Sequence, residues 1–222
     1  MELNKKDRDN LVKIYTEKYN EHGYSPKALG WDKGKQNVRF EILTSQINLE
    51  NKSILDIGCG FGDLNKYLST KLTNYTYYGV DMVETSINEA TSRHPHNAKF
   101  KCGDFLQEDL GEFDYAVASG IFNLKLENED SYSFIENTMK KAMSICRVGI
   151  AFDFLSDKVD YPLEHTFHAS PEKLLSMAYK YTRNIVLRND YMPFEFTLFM
   201  FKDDSFEKAD TIFNSYKKNK LI

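Results

Sequence analysis

Cysteine is scarce in this 222-residue chain, and the three present, Cys59, Cys102 and Cys146, form no Cys-x-x-Cys pair. An odd count at wide spacing argues against a disulfide framework or a structural zinc site and fits reduced thiols in cytoplasm. Long apolar runs are missing too. The longest, around Val148–Phe154, is too short to cross a bilayer. The opening MELNKKDRDN is polar and lacks the apolar centre of a signal peptide. A cytoplasmic protein is expected, with no membrane partner. There is no excess of positive charge: 29 Lys and Arg stand against 33 Asp and Glu, a net charge of −4, which argues against a general binder of phosphate backbones. No His-x-x-x-His or acidic cluster suggests a metal, and no magnesium site is expected. Internal repeats and low-complexity linkers are absent as well.

What remains is an ordinary globular composition, 41% hydrophobic and 28% charged, at a length suited to one well-packed α/β domain. Aromatic residues reach 14%, enough to fill a core and line a pocket. From about residue 52 onward, strand and helix patterns alternate, which predicts a mainly parallel sheet covered by helices. Buried strands are expected at Ser53–Ile57, Tyr75–Val80, Ala98–Cys102, Phe113–Ala118 and Arg147–Leu155. Two more, Asn184–Arg188 and Phe194–Lys202, are joined by the short Asn189–Pro193 link. That link predicts a hairpin and an antiparallel last strand.

Helical spacing marks Asn4–Glu21, Lys33–Asn48, the segment bearing Leu64, Tyr67, Leu68 and Leu72, Val83–Arg93, Ser131–Cys146 and Pro171–Tyr181. Ser170 followed by Pro171 is a helix start signal. A closing helix is expected over Ser205–Lys217, with Phe206, Ala209, Phe213 and Tyr216 on one stripe. One domain over 1–222 is thus expected, divided into an N-terminal helical lid (1–32), a core (33–202) and a C-terminal helix (203–222).

The chemistry concentrates in Ile54–Leu64, ILDIGCGFGDL. A strand ends, Gly58, Gly60 and Gly62 follow at alternate positions, and a helix begins. Glycines there let backbone N–H groups and a ligand approach without intervening Cβ atoms. A dinucleotide fingerprint would need a third glycine where Asp63 stands. Asp56, at the strand end, repels a pyrophosphate and attracts a cation. Both features count against a nicotinamide-dependent oxidoreductase.

This D-x-G-x-G-x-G pattern resembles the first motif of the class I S-adenosylmethionine-dependent methyltransferases. Tyr77–Asp81 (YYGVD), Cys102–Phe105 (CGDF) and Phe113–Gly120 (FDYAVASG) resemble the ends of that family's second, third and fourth strands. The resemblance covers roughly residues 33–202. It implies a Rossmann-like fold: a mainly parallel seven-stranded sheet, an antiparallel last strand, helices on both faces and an extra N-terminal helix.

It also implies S-adenosylmethionine as cofactor and S-adenosylhomocysteine as product. Asp56, Gly58, Cys59 and Gly60 would then surround the methionine part and sulfur. Asp81, with Met82 beside it, would accept from the ribose hydroxyls. Asp104 would meet the adenine amino group, between Gly103 and Phe105, whose N–H would reach a ring nitrogen. Ser119 would lie beside the methionine or ribose, and Arg39 or Lys35 would hold the cofactor carboxylate.

Catalysis in this class needs chiefly an aligned, unprotonated nucleophile. Candidate bases beyond the fourth and fifth strands are His168 first, then His165 and Asp153, although for each taken singly a solvated or structural hydrogen-bonding role is the stronger reading. Asn123 is either an orienting residue or a loop cap. Tyr15, Tyr19, Tyr24 and Trp31 either cover the cofactor or pack the extra helices onto the sheet. Ser119-Gly120-Ile121-Phe122 stands where base-modifying relatives carry Asn/Asp-Pro-Pro-aromatic, so a flipped base is not indicated. A small metabolite attacked through oxygen or nitrogen is expected, a sugar or sugar nucleotide preferred. A protein or RNA methyltransferase and a cofactor-binding module without turnover stay open.

Overall fold

The computed structural model describes residues 2–31, 34–96, 98–202, 206 and 211–219. Seven strands form one sheet: β1 (Ser53–Ile57), β2 (Thr76–Asp81), β3 (Ala98–Cys102), β4 (Phe113–Ala118), β5 (Cys146–Leu155), β6 (Ile185–Arg188) and β7 (Glu195–Phe201). Their order across the sheet is β3-β2-β1-β4-β5-β7-β6. The pairs from β3 to β5 are parallel, and β7 runs antiparallel to both β5 and β6. The expected hairpin is therefore present.

The strands at the centre read as continuous apolar runs because helices cover both faces. One face buries Ile54, Tyr77, Tyr115, Val117, Ala151 and Phe199 beneath α2 (Gln36–Leu43) and α3 (Asp63–Ser69). The other buries Leu55, Ile57, Ala116, Ile150, Phe152 and Leu198 beneath α5 (Ser131–Ile145) and α6 (Pro171–Ala178). Successive strand residues go to opposite clusters, as a pleat of period two demands. The edge strand β3 turns Lys99 and Lys101 to solvent, which discourages pairing with another chain.

Caps fix the helix ends. The Ser170 side chain accepts from Lys173 N–H and Pro171 opens α6, as its sequence predicts. Asn4 and Asp130 cap α1 (Lys5–His22) and α5 in the same way. The helix α4 (Glu84–Arg93) joins β2 to β3.

The C-terminal helix differs from expectation. It is the shorter α7, Asn214–Asn219, and Phe206 and Phe213 face each other across an antiparallel bridge. Their rings meet edge to face at 6.4 Å, a contact that residues seven apart on one helical stripe do not make. Ala209, the other member of the expected stripe, lies outside the described residues, as does Lys33 at the expected start of α2. No described helix is long and apolar enough to cross a membrane.

Candidate active site

The carboxyl ends of the parallel strands open onto one cavity. Its empty space, mouth included, is about 1070 Å³. Such a position, where strand order reverses between β1 and β4, is where open α/β sheets bind ligands. A row of acidic groups crosses it in sheet order: Asp104 after β3, Asp81 on β2, Asp56 on β1. All three line the cavity, with Gly58, Cys59, Gly60, Met82, Gly103, Phe105 and Ser119. The sequence motifs thus converge, although they are spread over more than sixty residues.

The glycine loop explains its own composition. Gly58, Gly60 and Gly62 have φ of 71°, 53° and 74°, left-handed values that other residues reach at a cost. A Cβ on Gly58 would stand 2.1 Å from Ile121 Cγ2, so the loop also needs hydrogen there for close packing.

Each carboxylate is set differently. Asp81 Oδ2 accepts from Gly60 N–H and Oδ1 from Val83 N–H, both at 2.9 Å, so the loop and the start of α4 aim it. Burial raises its pKa, and the backbone donors pull the other way. Asp56 is buried and accepts from the Tyr77 hydroxyl. Burial first, then the charges of Asp81 and Asp153, push it up to about 7 against the Tyr77 bond. Asp104 Oδ1 takes the Leu106 N–H at 2.9 Å, while its Oδ2 is buried with no hydrogen-bond partner among the described residues. A buried carboxylate oxygen left so is costly unless a ligand donates to it. Asn123 Oδ1, in the turn after β4, is likewise buried without a partner among the described residues.

The aromatic residues of the N-terminal segment divide between the cavity wall and packing contacts. Tyr15 and Trp31 line the cavity with Leu11 and Leu29. Burial and the nearby Asp81 charge raise the Tyr15 hydroxyl to about 12. Tyr19 and Tyr24 instead pack against Phe61, at 5.7 and 5.3 Å between ring centroids. Their hydroxyls donate to Glu89 at 2.7 Å and to Asp63 at 2.6 Å, which ties the segment to α4 and α3.

Five candidates stand outside the cavity wall. Arg39 gives its guanidinium to the Glu195 carboxylate, and Lys35 is exposed at the start of α2. Asp153 is buried and accepts from the Ser119 hydroxyl at 2.6 Å and the Gly120 N–H at 2.7 Å. Burial pushes it up to about 6, against those donors and the Arg39 charge. His168 donates from Nδ1 to the Ser156 carbonyl at 2.9 Å and pairs through Nε2 with the Thr166 hydroxyl at 2.8 Å. His165 is exposed on the same loop.

Gln36 and Phe40 on α2, with Phe134 and Thr138 on α5, complete the wall. Nothing in the sequence marked them. Their helical spacing is that of any residue facing a core, and only the packing of α2 and α5 over the strand ends makes that face a cavity wall.

A family model described as a methyltransferase domain matches residues 48–195. A protein of Mycobacterium tuberculosis, provisionally named as a methyltransferase, is 32% identical over 157 residues, which is 68% of this chain and 93% of that protein. The structure resembles magnesium protoporphyrin IX methyltransferase from Synechocystis PCC 6803 with bound SAM, with a TM-score of 0.64 at 12% identity over 88% of this chain and 97% of that one. It also resembles the N-methyltransferase NodS from Bradyrhizobium japonicum WM9 in complex with S-adenosyl-l-homocysteine, with a TM-score of 0.62 at 13% identity over 88% of this chain and 97% of that one. At these identities the two solved structures speak for the fold alone.

Proposed function

The chain belongs to the methyltransferase domain family, and from that premise we propose that it moves a methyl group from S-adenosylmethionine to an oxygen or nitrogen of a small molecule. The observation that carries the reading is the acidic row across a side-chain-free loop, with one buried carboxylate oxygen unpartnered. The residues fit this cofactor. Asp104 Oδ2 needs a donor, and an adenine amino group is one. Asp81 is aimed by two backbone N–H groups and keeps lone pairs for a ribose diol. Asp56 favours an ammonium or sulfonium over a phosphate, and the glycine loop admits the chain of the methionine part.

When bound, the cofactor supplies a methyl group already activated by the positive sulfur. The protein's own task is then alignment and exclusion of water. Leu29 and Ile121 pack against Gly60 and Gly58, and Tyr15 and Trp31 line the same cavity, which surrounds the cofactor with apolar surface. Ser119 is fixed through Asp153, so the turn after β4 is a rigid wall for the incoming nucleophile. In this reading Asp153 acts through Ser119 and Gly120. Of the expected bases, His168 already has a partner on each ring nitrogen, and the rate comes from positioning.

A sugar is the finer reading. The Trp31 indole offers a face for the apolar side of a pyranose, and the Gln36 amide on the same wall offers both a donor and an acceptor.

Isothermal titration with S-adenosylhomocysteine and, separately, with NAD tests the cofactor assignment. Saturable binding of the first and none of the second is expected. The reverse result would sink the assignment. Transfer of label from methyl-tritiated cofactor into a panel of free sugars, phenols and amines then tests the acceptor.

A further inference from the structure

Arg39 sits on α2, and its partner Glu195 begins β7. Arg39 Nε donates to Glu195 Oε2 at 2.7 Å and Nη2 donates to Oε1, so the two planar groups meet as a fork. Both side chains are nearly buried, at 9% and 12% exposure, which separates this pair from the surface pairs elsewhere. The guanidinium carbon also lies 4.2 Å from the Trp31 ring centroid, and Trp31 lines the cavity. The indole edge abuts Gly120: a Cβ there would stand 2.5 Å from Trp31 Cζ2. Gly120 in turn is held by Asp153. The indole is thus bounded by a stacked cation and by a turn with no side chain.

This arrangement lies at the β4 side of the cavity, away from Asp81 and Asp104 on the β2 and β3 side. We infer that Arg39, locked by Glu195, is a positioning residue that holds the Trp31 indole as a wall of the acceptor end. The acceptor assignment rests on the methyltransferase reading; the seating of Trp31 by Arg39 does not. Lysine would not substitute, because an ammonium cannot form the fork and stack its plane on the indole at once. The alternative is that the pair only staples α2 to β7 and the indole keeps its place without it.

Trp31 is the only tryptophan in the chain, so its fluorescence reports this wall directly. The test compares the wild type with Arg39→Lys and Glu195→Gln, by acrylamide quenching of Trp31, melting temperature and calorimetric affinity for S-adenosylhomocysteine. Quenching is expected to rise about twofold or more in both variants, because the indole loses its cover. Affinity is expected to stay within about twofold, since the hydrogen bonds of the Arg39–Glu195 fork do not reach Asp81 or Asp104. Lower melting temperature with unchanged quenching would overturn the inference and leave a structural staple. So would full protection of Trp31 by S-adenosylhomocysteine alone, which would put the indole on the cofactor. Should Glu195→Gln fail to fold, Glu195→Asp takes its place, keeping the charge but shortening the reach. Failure of the wild type to bind S-adenosylhomocysteine would count against the proposed function, while the quenching comparison would still decide whether Arg39 seats the indole.

Discussion

At the β1–β3 end of the cavity Asp81 and Asp104 each take a backbone N–H from two residues on; at the β4–β7 end the wall is held by residues from remote elements. Asp81 takes N–H groups from Val83, two residues on, and from Gly60 in the neighbouring loop, and Asp104 takes Leu106 N–H, two residues on. Across the sheet, Ser119 and Gly120 depend on Asp153, and Trp31 stacks on Arg39, which depends on Glu195, 156 residues further along. The first kind of construction suits a fixed cofactor. The second can be altered by changes in several elements that leave Asp81 and Asp104 in place, which suits the proposed acceptor end.

The sharpest way to break this contrast is Asp81→Ala. It removes the proposed ribose acceptor and strands two backbone donors, so affinity for S-adenosylhomocysteine should fall on the order of 100-fold, from two charge-assisted bonds. Calorimetry reads it, and unchanged affinity would remove Asp81 from the cofactor site. Next in size, Gly120→Ala forces a φ of 77° on a side chain that collides with Trp31. A loss of about 2 kcal/mol or more is expected from the backbone strain alone at its upper range, together with greater exposure of Trp31 to acrylamide. Melting and quenching check both, and affinity for S-adenosylhomocysteine should change far less than in Asp81→Ala.

A smaller effect should appear with pH. Asp56 is pushed up to about 7 by burial, so the folded protein keeps a proton there that the unfolded chain has released. Its contribution to stability is greatest below the ordinary carboxylate range and is lost as pH rises through about 7. The ammonium group of a bound ligand such as S-adenosylhomocysteine works in the opposite sense, because it favours the ionised carboxylate and binds more tightly as pH rises through that window. Asp56→Asn should flatten both trends. Thermal melts with and without S-adenosylhomocysteine across the window measure them, and equal slopes in the variant and the wild type would exclude Asp56 as their source. The smallest change in cofactor affinity is expected from His168→Ala. It loses two hydrogen bonds in the loop after β5, about 1 kcal/mol of stability each, and should leave cofactor affinity at the wild-type value.

Much of the fold was legible. The strands lie within a residue or two of their apolar runs, and the Asn189–Pro193 link announced the antiparallel strand. At the C-terminus Phe206, Phe213 and Tyr216 carry a helical spacing that the bridge between the two phenylalanines overrides. Within the site, Asp56, Asp81 and Asp104 stood out because each ends or follows a buried strand beside a tight turn. Arg39 did not show its place, since an arginine on a helix has the same spacing whether it meets a ligand or Glu195.

The sequence by itself determined the α/β alternation, the glycine bend and the acidic strand tips, because each depends on residues close together in the chain: apolar runs, Cβ-free turns and caps. Tertiary structure alone decided which aromatic rings reach the cavity, that Arg39 is spent on Glu195 beneath Trp31, and that Asp153 holds the turn after β4. Those outcomes depend on how α2, β5 and β7 pack against one another, and side-chain pairing between such distant segments leaves no local pattern to read.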